Sequence, residues 1–222
     1  MNTKRNLLYL HIRTHATIYM FVLILFLTGI IFGAILVNSM NFVQKQDLYF
    51  YLERFFTEMS KGETTEHKTI FTMSSLYHAK YLCIMFLLGL SVIGLPLVWI
   101  FLFLKGLVVG FSVGFIVNQL GWKGLLLAGI SIAPQNMLVI PIYLIAGGLS
   151  MIFSLSLLNR LFRKNQTDSI VHPFKKYFFI YVVLLLLSLI AAGLEAFVAN
   201  GAMQVLVKSF YNWEWVLYNS NY

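Results

Sequence analysis

Hydrophobic positions run almost unbroken from Tyr81 to Leu158, and in those 78 residues only Lys105 and Lys123 carry charge. One membrane-spanning helix needs about 20 apolar residues, so the tract has room for about three. Three features divide it: Leu104-Lys105-Gly106, the polar patch Asn118-Gln119 to Lys123, and Pro134-Gln135-Asn136. They predict spans over about 81–104, 106–127 and 134–158. Lys105-Gly106 reads as a very tight turn, and Pro96 as a kink, because proline removes a backbone hydrogen bond. Residues 106–133 admit two threadings. Either a short span ends near Asn118 and Gly121 to Ser131 form a re-entrant half-helix, or one longer tilted helix runs through.

Ahead of the tract, Met1 to Ala16 is polar and basic, with Lys4, Arg5 and Arg13. Thr17 to Val37 follows without a charge, about 31 Å of helix and enough to cross the hydrocarbon core. Residues 40–80 form the one sizeable hydrophilic segment. Within it Leu48, Leu52, Phe55 and Met59 recur at helical spacing, with Asp47, Glu53, Arg54 and Glu58 on other faces. An amphipathic helix from about Val43 to Ser60 is expected, lying in the membrane interface, docking a partner or packing on its own bundle. A second, shorter helix from about Thr69 is expected to run into the next span. A basic loop, 159–176, precedes a last span over about 177–198. The tail, 199–222, is dense in aromatics (Phe210, Tyr211, Trp213, Trp215, Tyr218, Tyr222), as in a headgroup-level belt. The fold class is therefore an all-α integral membrane protein, a bundle of about five spanning helices.

Composition excludes the alternatives. Charged residues are 11% and hydrophobic residues 59% of the 222, with mean hydropathy +0.81. Soluble domains carry about 25% charge, and no water-facing surface can be built from this chain. The net charge of +8 is a topology signal and a lipid-headgroup contact, not a nucleic-acid footprint. With the N-terminus inside, nine Lys/Arg lie inside with Asp168 alone among acids, against seven outside balanced by six acids. The short basic segments next to spans favour an N-terminus in the cytoplasm and a C-terminus outside. Cys83 is the only cysteine, which excludes an intramolecular disulfide. The first span lacks a small-residue cleavage pattern and reads as a retained anchor.

Candidate chemistry is sparse. Gly29 with Gly33, and Gly106 with Gly110 and Gly114, are spaced as GxxxG. Small residues at that spacing let backbones approach in lipid, within one chain or between protomers as in a homodimer. Glu195 is the one acidic residue inside a span, where carboxylates face a bundle interior or a partner. Pro134-Gln135-Asn136, with Asn118, Gln119 and Pro141, places amides beside broken helices and suggests a polar vestibule or partner-binding notch. His11 and His15 stand four apart but have no third ligand nearby, so they read as interfacial. No nucleophile elbow, zinc signature or phosphate-cradling loop occurs. No cofactor, metal or enzyme activity is expected.

A connected series of motifs resembles the stage II sporulation protein M family of endospore-forming bacteria. It comprises Phe26-Leu27-Thr28-Gly29-Ile30-Ile31-Phe32-Gly33-Ala34, Val37-Asn38-Ser39-Met40-Asn41 and Gln44-Lys45-Gln46-Asp47-Leu48. It continues through Gly94-Leu95-Pro96, Phe103-Leu104-Lys105-Gly106, Gly110-Phe111 and Val117-Asn118-Gln119-Leu120-Gly121. Ala133-Pro134-Gln135-Asn136 and Leu194-Glu195-Ala196 close it, so the likeness covers roughly Thr14 to Ala199. The resemblance implies a membrane protein of engulfment, sited in the mother-cell septal or engulfing membrane. It also implies a scaffold for peptidoglycan-degrading partners, stage II sporulation proteins P and D, and carries over no catalytic residue. The expected function is a non-enzymatic scaffold; the rival is a permease-like subunit passing a small or lipidic solute along Glu195 and the Pro134-Gln135-Asn136 notch.

Overall fold

The computed structural model describes residues 13–60, 67–162 and 170–199, all-helical with short turns. In chain order the helices are α1 (Ala16–Ser39), α2 (Phe42–Ser60), α3 (His67–Gly89), α4 (Gly94–Ser131), α5 (Ala133–Phe162) and α6 (Val171–Leu194). A single π-helical turn, Glu195–Ala199, continues α6. Five helices among the described residues are long and apolar enough to cross a membrane: α1, α3, α4, α5 and α6. His11 and the aromatic tail lie outside the described residues.

Helix bounds depart from the expected spans. The turn between the second and third crossings is at residues 90–93, not at Lys105-Gly106, and α4 runs straight through that pair. The physical reason is Pro96. It stands third in α4, where its missing N–H has no helical acceptor to lose, so it starts a helix instead of kinking one. Backbone bonds from Ser91 N to Leu88 O (3.1 Å) and Gly94 N to Ser91 O (3.2 Å) close the turn. Ser154 Oγ donates to Ser91 O at 3.0 Å and ties it to α5. The helix of the second crossing begins at His67, close to the helix start expected at about Thr69.

Gly121 breaks α4 with φ 55° and ψ −129°, a conformation that side-chain-bearing residues rarely adopt. The part before it, from Gly94, is about 40 Å long and spans. The part after it is too short to cross and doubles back: a Cβ at Gly124 would collide with the Ile116 carbonyl. The break falls within the 106–133 stretch for which the sequence admits two threadings.

The glycine motifs come together on a single seam between α1 and α4. A Cβ at Gly29 would collide with Phe103 O, and one at Gly33 would stand 2.7 Å from Phe111 N. From the other side, a Cβ at Gly106 would be 3.2 Å from Ile30 N, and one at Gly114 3.3 Å from Ala34 Cα. Lipid gives helices no hydrophobic reason to associate, so this close van der Waals approach is itself the adhesive.

Helix α5 is the most buried crossing, and polar side chains fasten it to α3 and α6. Ser150 Oγ donates to Met85 O at 2.9 Å and lies 2.6 Å from Tyr181 Oη. Tyr181 Oη has one proton for two acceptors, Ser150 Oγ and Ala146 O at 2.9 Å, and Tyr177 Oη donates to Phe86 O at 3.0 Å. Tyr177 also stacks between Phe86 and Phe153, with ring centroids 5.0 and 4.5 Å away. Where the solvent cannot hydrogen-bond, such pairs specify which helices touch.

Candidate functional site: an intramembrane polar cavity

A cavity of about 370 Å³ lies between α3, α4, α5 and the π turn, lined by Met73, Ser74, Tyr77, His78, Lys105, Asn136, Val139 and Glu195. Its polar residues arrive from four separate elements. Lys105 sits about 16 Å along α4 from Gly94, near mid-membrane, where ionisable groups are costly and mark functional sites.

An aromatic cage holds the Lys105 ammonium. Nζ lies 4.7, 5.1 and 5.8 Å from the ring centroids of Tyr77, Tyr143 and Tyr81. It also donates to Tyr77 Oη at 3.3 Å. Ring faces are negative, so three of them replace part of the lost hydration. Tyr77 and Tyr81 are one helical turn apart on α3, which places both rings on the same side of the cation. Tyr81 Oη donates to Phe101 O at 2.8 Å, fixing that ring against α4.

His78 is buried, 4% exposed, with Nδ1 2.6 Å from Tyr143 Oη. When that hydroxyl donates, the imidazole proton is on Nε2. Nε2 faces Glu195 Oε2 at 3.9 Å and has no hydrogen bond among the described residues. Asn136 donates from Nδ2 to Ile132 O at 2.8 Å, which leaves its amide oxygen for the cavity.

Glu195 opens the π turn, a rare geometry that recurs at functional sites. The N-terminus of α3 pins this turn. His67 Nδ1 meets Ala196 O at 2.7 Å and its ring stacks on Phe197 with centroids 5.5 Å apart. A fixed cation, a carboxylate and an imidazole thus share one small space. They can orient a polar ligand or hold a proton between acceptors, and they include no nucleophile paired with a base.

Sequence reasoning singled out two of these residues, Glu195 and Asn136. Pro134 lies in the first turn of α5, and the Gln135 side chain is outside the described residues. Asn118 and Gln119 do not line the cavity; they bond to each other at 3.3 Å just before the Gly121 break. His15 lines a separate cleft with Ser156, Asn159 and Arg160. Lys105, His78, Tyr77 and Tyr143 were missed. Lys105 was legible as a charge inside an apolar tract, but reading it as a turn removed it from the membrane.

Helix α2 stands away from this site. Leu48 and Tyr51 border a cleft against the end of α1 with Leu36 and Met40, and Leu52 is half-buried. The side chains of Phe55 and Met59 are outside the described residues. Phe42, Phe50 and Tyr51 are 80%, 63% and 69% exposed.

Comparison with curated proteins and with solved structures gives no match. Among family models, that of stage II sporulation protein M matches residues 22–200, which takes in the glycine seam, α2 and every residue of the cavity. The chain is a multi-pass membrane protein of sporulation and belongs to the stage II sporulation protein M family.

Proposed function

We propose that the protein is a non-enzymatic membrane scaffold that gathers peptidoglycan-degrading proteins at the engulfing septal membrane. The observation that carries this reading is α2, an amphipathic helix held off the spanning bundle with Phe42, Phe50 and Tyr51 exposed. Aromatic side chains presented on a helix are the usual anchors of helix-in-groove recognition. With the N-terminus in the cytoplasm, α2 lies outside the cell membrane, on the side where the wall is. Its partners would be stage II sporulation proteins P and D, and its site the mother-cell septal membrane.

The test is co-purification from sporulating cells with a tagged chain. Native protein brings down the two wall-remodelling proteins, and Phe50→Glu with Tyr51→Glu loses them while staying in the membrane. Absence of both from the native complex would reject the scaffold.

The cavity favours a second reading, a permease-like subunit. Lys105, His78 and Glu195 would then line a path for a small polar solute. Solute uptake by vesicles containing the purified chain, abolished by Lys105→Met, is the result that reading requires.

A further inference from the structure

Lys80 is exposed in the middle of α3 and makes no hydrogen bond or ion pair with any described residue. At 100° per residue it stands about 160° round the helix from buried Leu82, so it points away from the bundle. Its depth follows from the turn at Ser91, which Ser154 holds against α5 six residues before Arg160. Eleven residues of helix separate Ser91 from Lys80, about 16 Å, which is near the centre of a hydrocarbon core about 30 Å thick. A lysine side chain cannot reach water from there without distorting the bilayer. Around it Leu76 (66% exposed) and Leu87 (62%) fall with Lys80 and Cys83 on one stripe at steps of four, three and four. That is the spacing of a seam for another helix.

We propose that this stripe docks a spanning helix of a different protein, one that carries an Asp or Glu at mid-membrane to pair with Lys80. Charge complementarity chooses the occupant. A second copy meeting this face symmetrically would set Lys80 against Lys80. The one carboxylate within its described spanning segments, Glu195, lines the internal cavity. The inference rests on the scaffold reading and names how one partner is held in the plane of the membrane.

The experiment places a photo-crosslinking residue at Leu76 or Leu87 in sporulating cells, with Ile24, a lipid-facing position on α1 that is 56% exposed, as control. The expected adduct is a protein whose spanning helix bears a carboxylate, absent from the Ile24 control. Its yield falls at least about tenfold in Lys80→Met, the lower end of the effect of losing one desolvated charge contact. Lys80→Arg retains it. Lys80→Asp regains it when the partner's carboxylate is replaced by lysine. Adducts to lipid alone, adducts to a second copy, or a protein adduct indifferent to Lys80→Met would each overturn the proposal. The α2 co-purification is independent of this face, so native capture of wall proteins without a Lys80-dependent adduct rejects the stripe and keeps the scaffold.

Discussion

Gly110 of α4 lies so close to Ile30 of α1 that a Cβ there would stand 2.7 Å from both the carbonyl carbon and the Cα of Ile30. The atoms in the way are backbone, which no rotamer change can move. Gly106, Gly110 and Gly114 of α4 and the two glycines of α1 thus serve each other inside one chain. Gly110→Leu, alone or with Gly114→Leu, is expected to open the α1–α4 seam and lower membrane abundance, at about 1–3 kcal/mol for each overpacked position. Gly129→Ala is the control, because nothing lies within 4 Å of a Cβ there. It should gain about 0.5–1 kcal/mol from helix propensity. Thermal unfolding in detergent reads both, and a Gly110→Leu variant as stable as native protein would refute the seam.

Ser150 joins α3 to α6 through α5, and its loss should be felt through Tyr181. Ser150→Ala and Tyr181→Phe are each expected to cost about 0.5–1.5 kcal/mol, since each removes one hydroxyl donor from the network. The two should not add. Either single change removes their shared 2.6 Å contact, and pairs in contact couple. A double-mutant cycle by reversible unfolding in mixed micelles measures this; strict additivity would mean that the two hydroxyls act independently.

The sequence made the bundle readable because lipid demands long uncharged helices, and Thr17 to Val37 admits no other reading. The Leu90–Ile93 turn was hidden by the same rule. At the membrane boundary a turn needs no charge, and Leu90, Val92 and Ile93 look like more of the helix. Ser91, Gly94 and Pro96 were its signals, and they were weaker than the charge of Lys105. For the cavity, Glu195 announced itself as a lone carboxylate. Its neighbours could not, since the meeting of His78 with Tyr143 spans 65 positions and depends on how helices cross.

Lys105 separates a structural cage from a working one. Lys105→Met keeps the bulk against Tyr77, Tyr81 and Tyr143 and removes a charge from membrane depth. The lost cation–π attraction, on the order of 1–2 kcal/mol, is offset by the desolvation no longer required. Membrane abundance should hold to within about twofold, the population change of under 1 kcal/mol. Lys105→Glu would set two carboxylates around one cavity and should deplete the protein from the membrane fraction. If the cavity is used in engulfment, Lys105→Met blocks membrane migration at normal abundance. Full engulfment with Lys105→Met would reduce the cluster to a packing device.

Orientation can be read with the chain's own cysteine removed or retained. Cys83 is exposed on α3 at membrane depth, where a membrane-impermeant maleimide, which is polar and reacts with thiolate, gains no access. Native protein in intact cells is therefore expected to stay unlabelled. In a Cys83→Ser background, Gln46→Cys on α2 should label from outside, because α2 follows the first crossing. Arg13→Cys, before that crossing, should label only after the cells are opened. The excess of basic residues around the N-terminus and before α6 is the reason to expect this direction. Reversed labelling of the two positions would put α2 in the cytoplasm, out of reach of the wall, and no reading that gives α2 a wall-side partner would survive it.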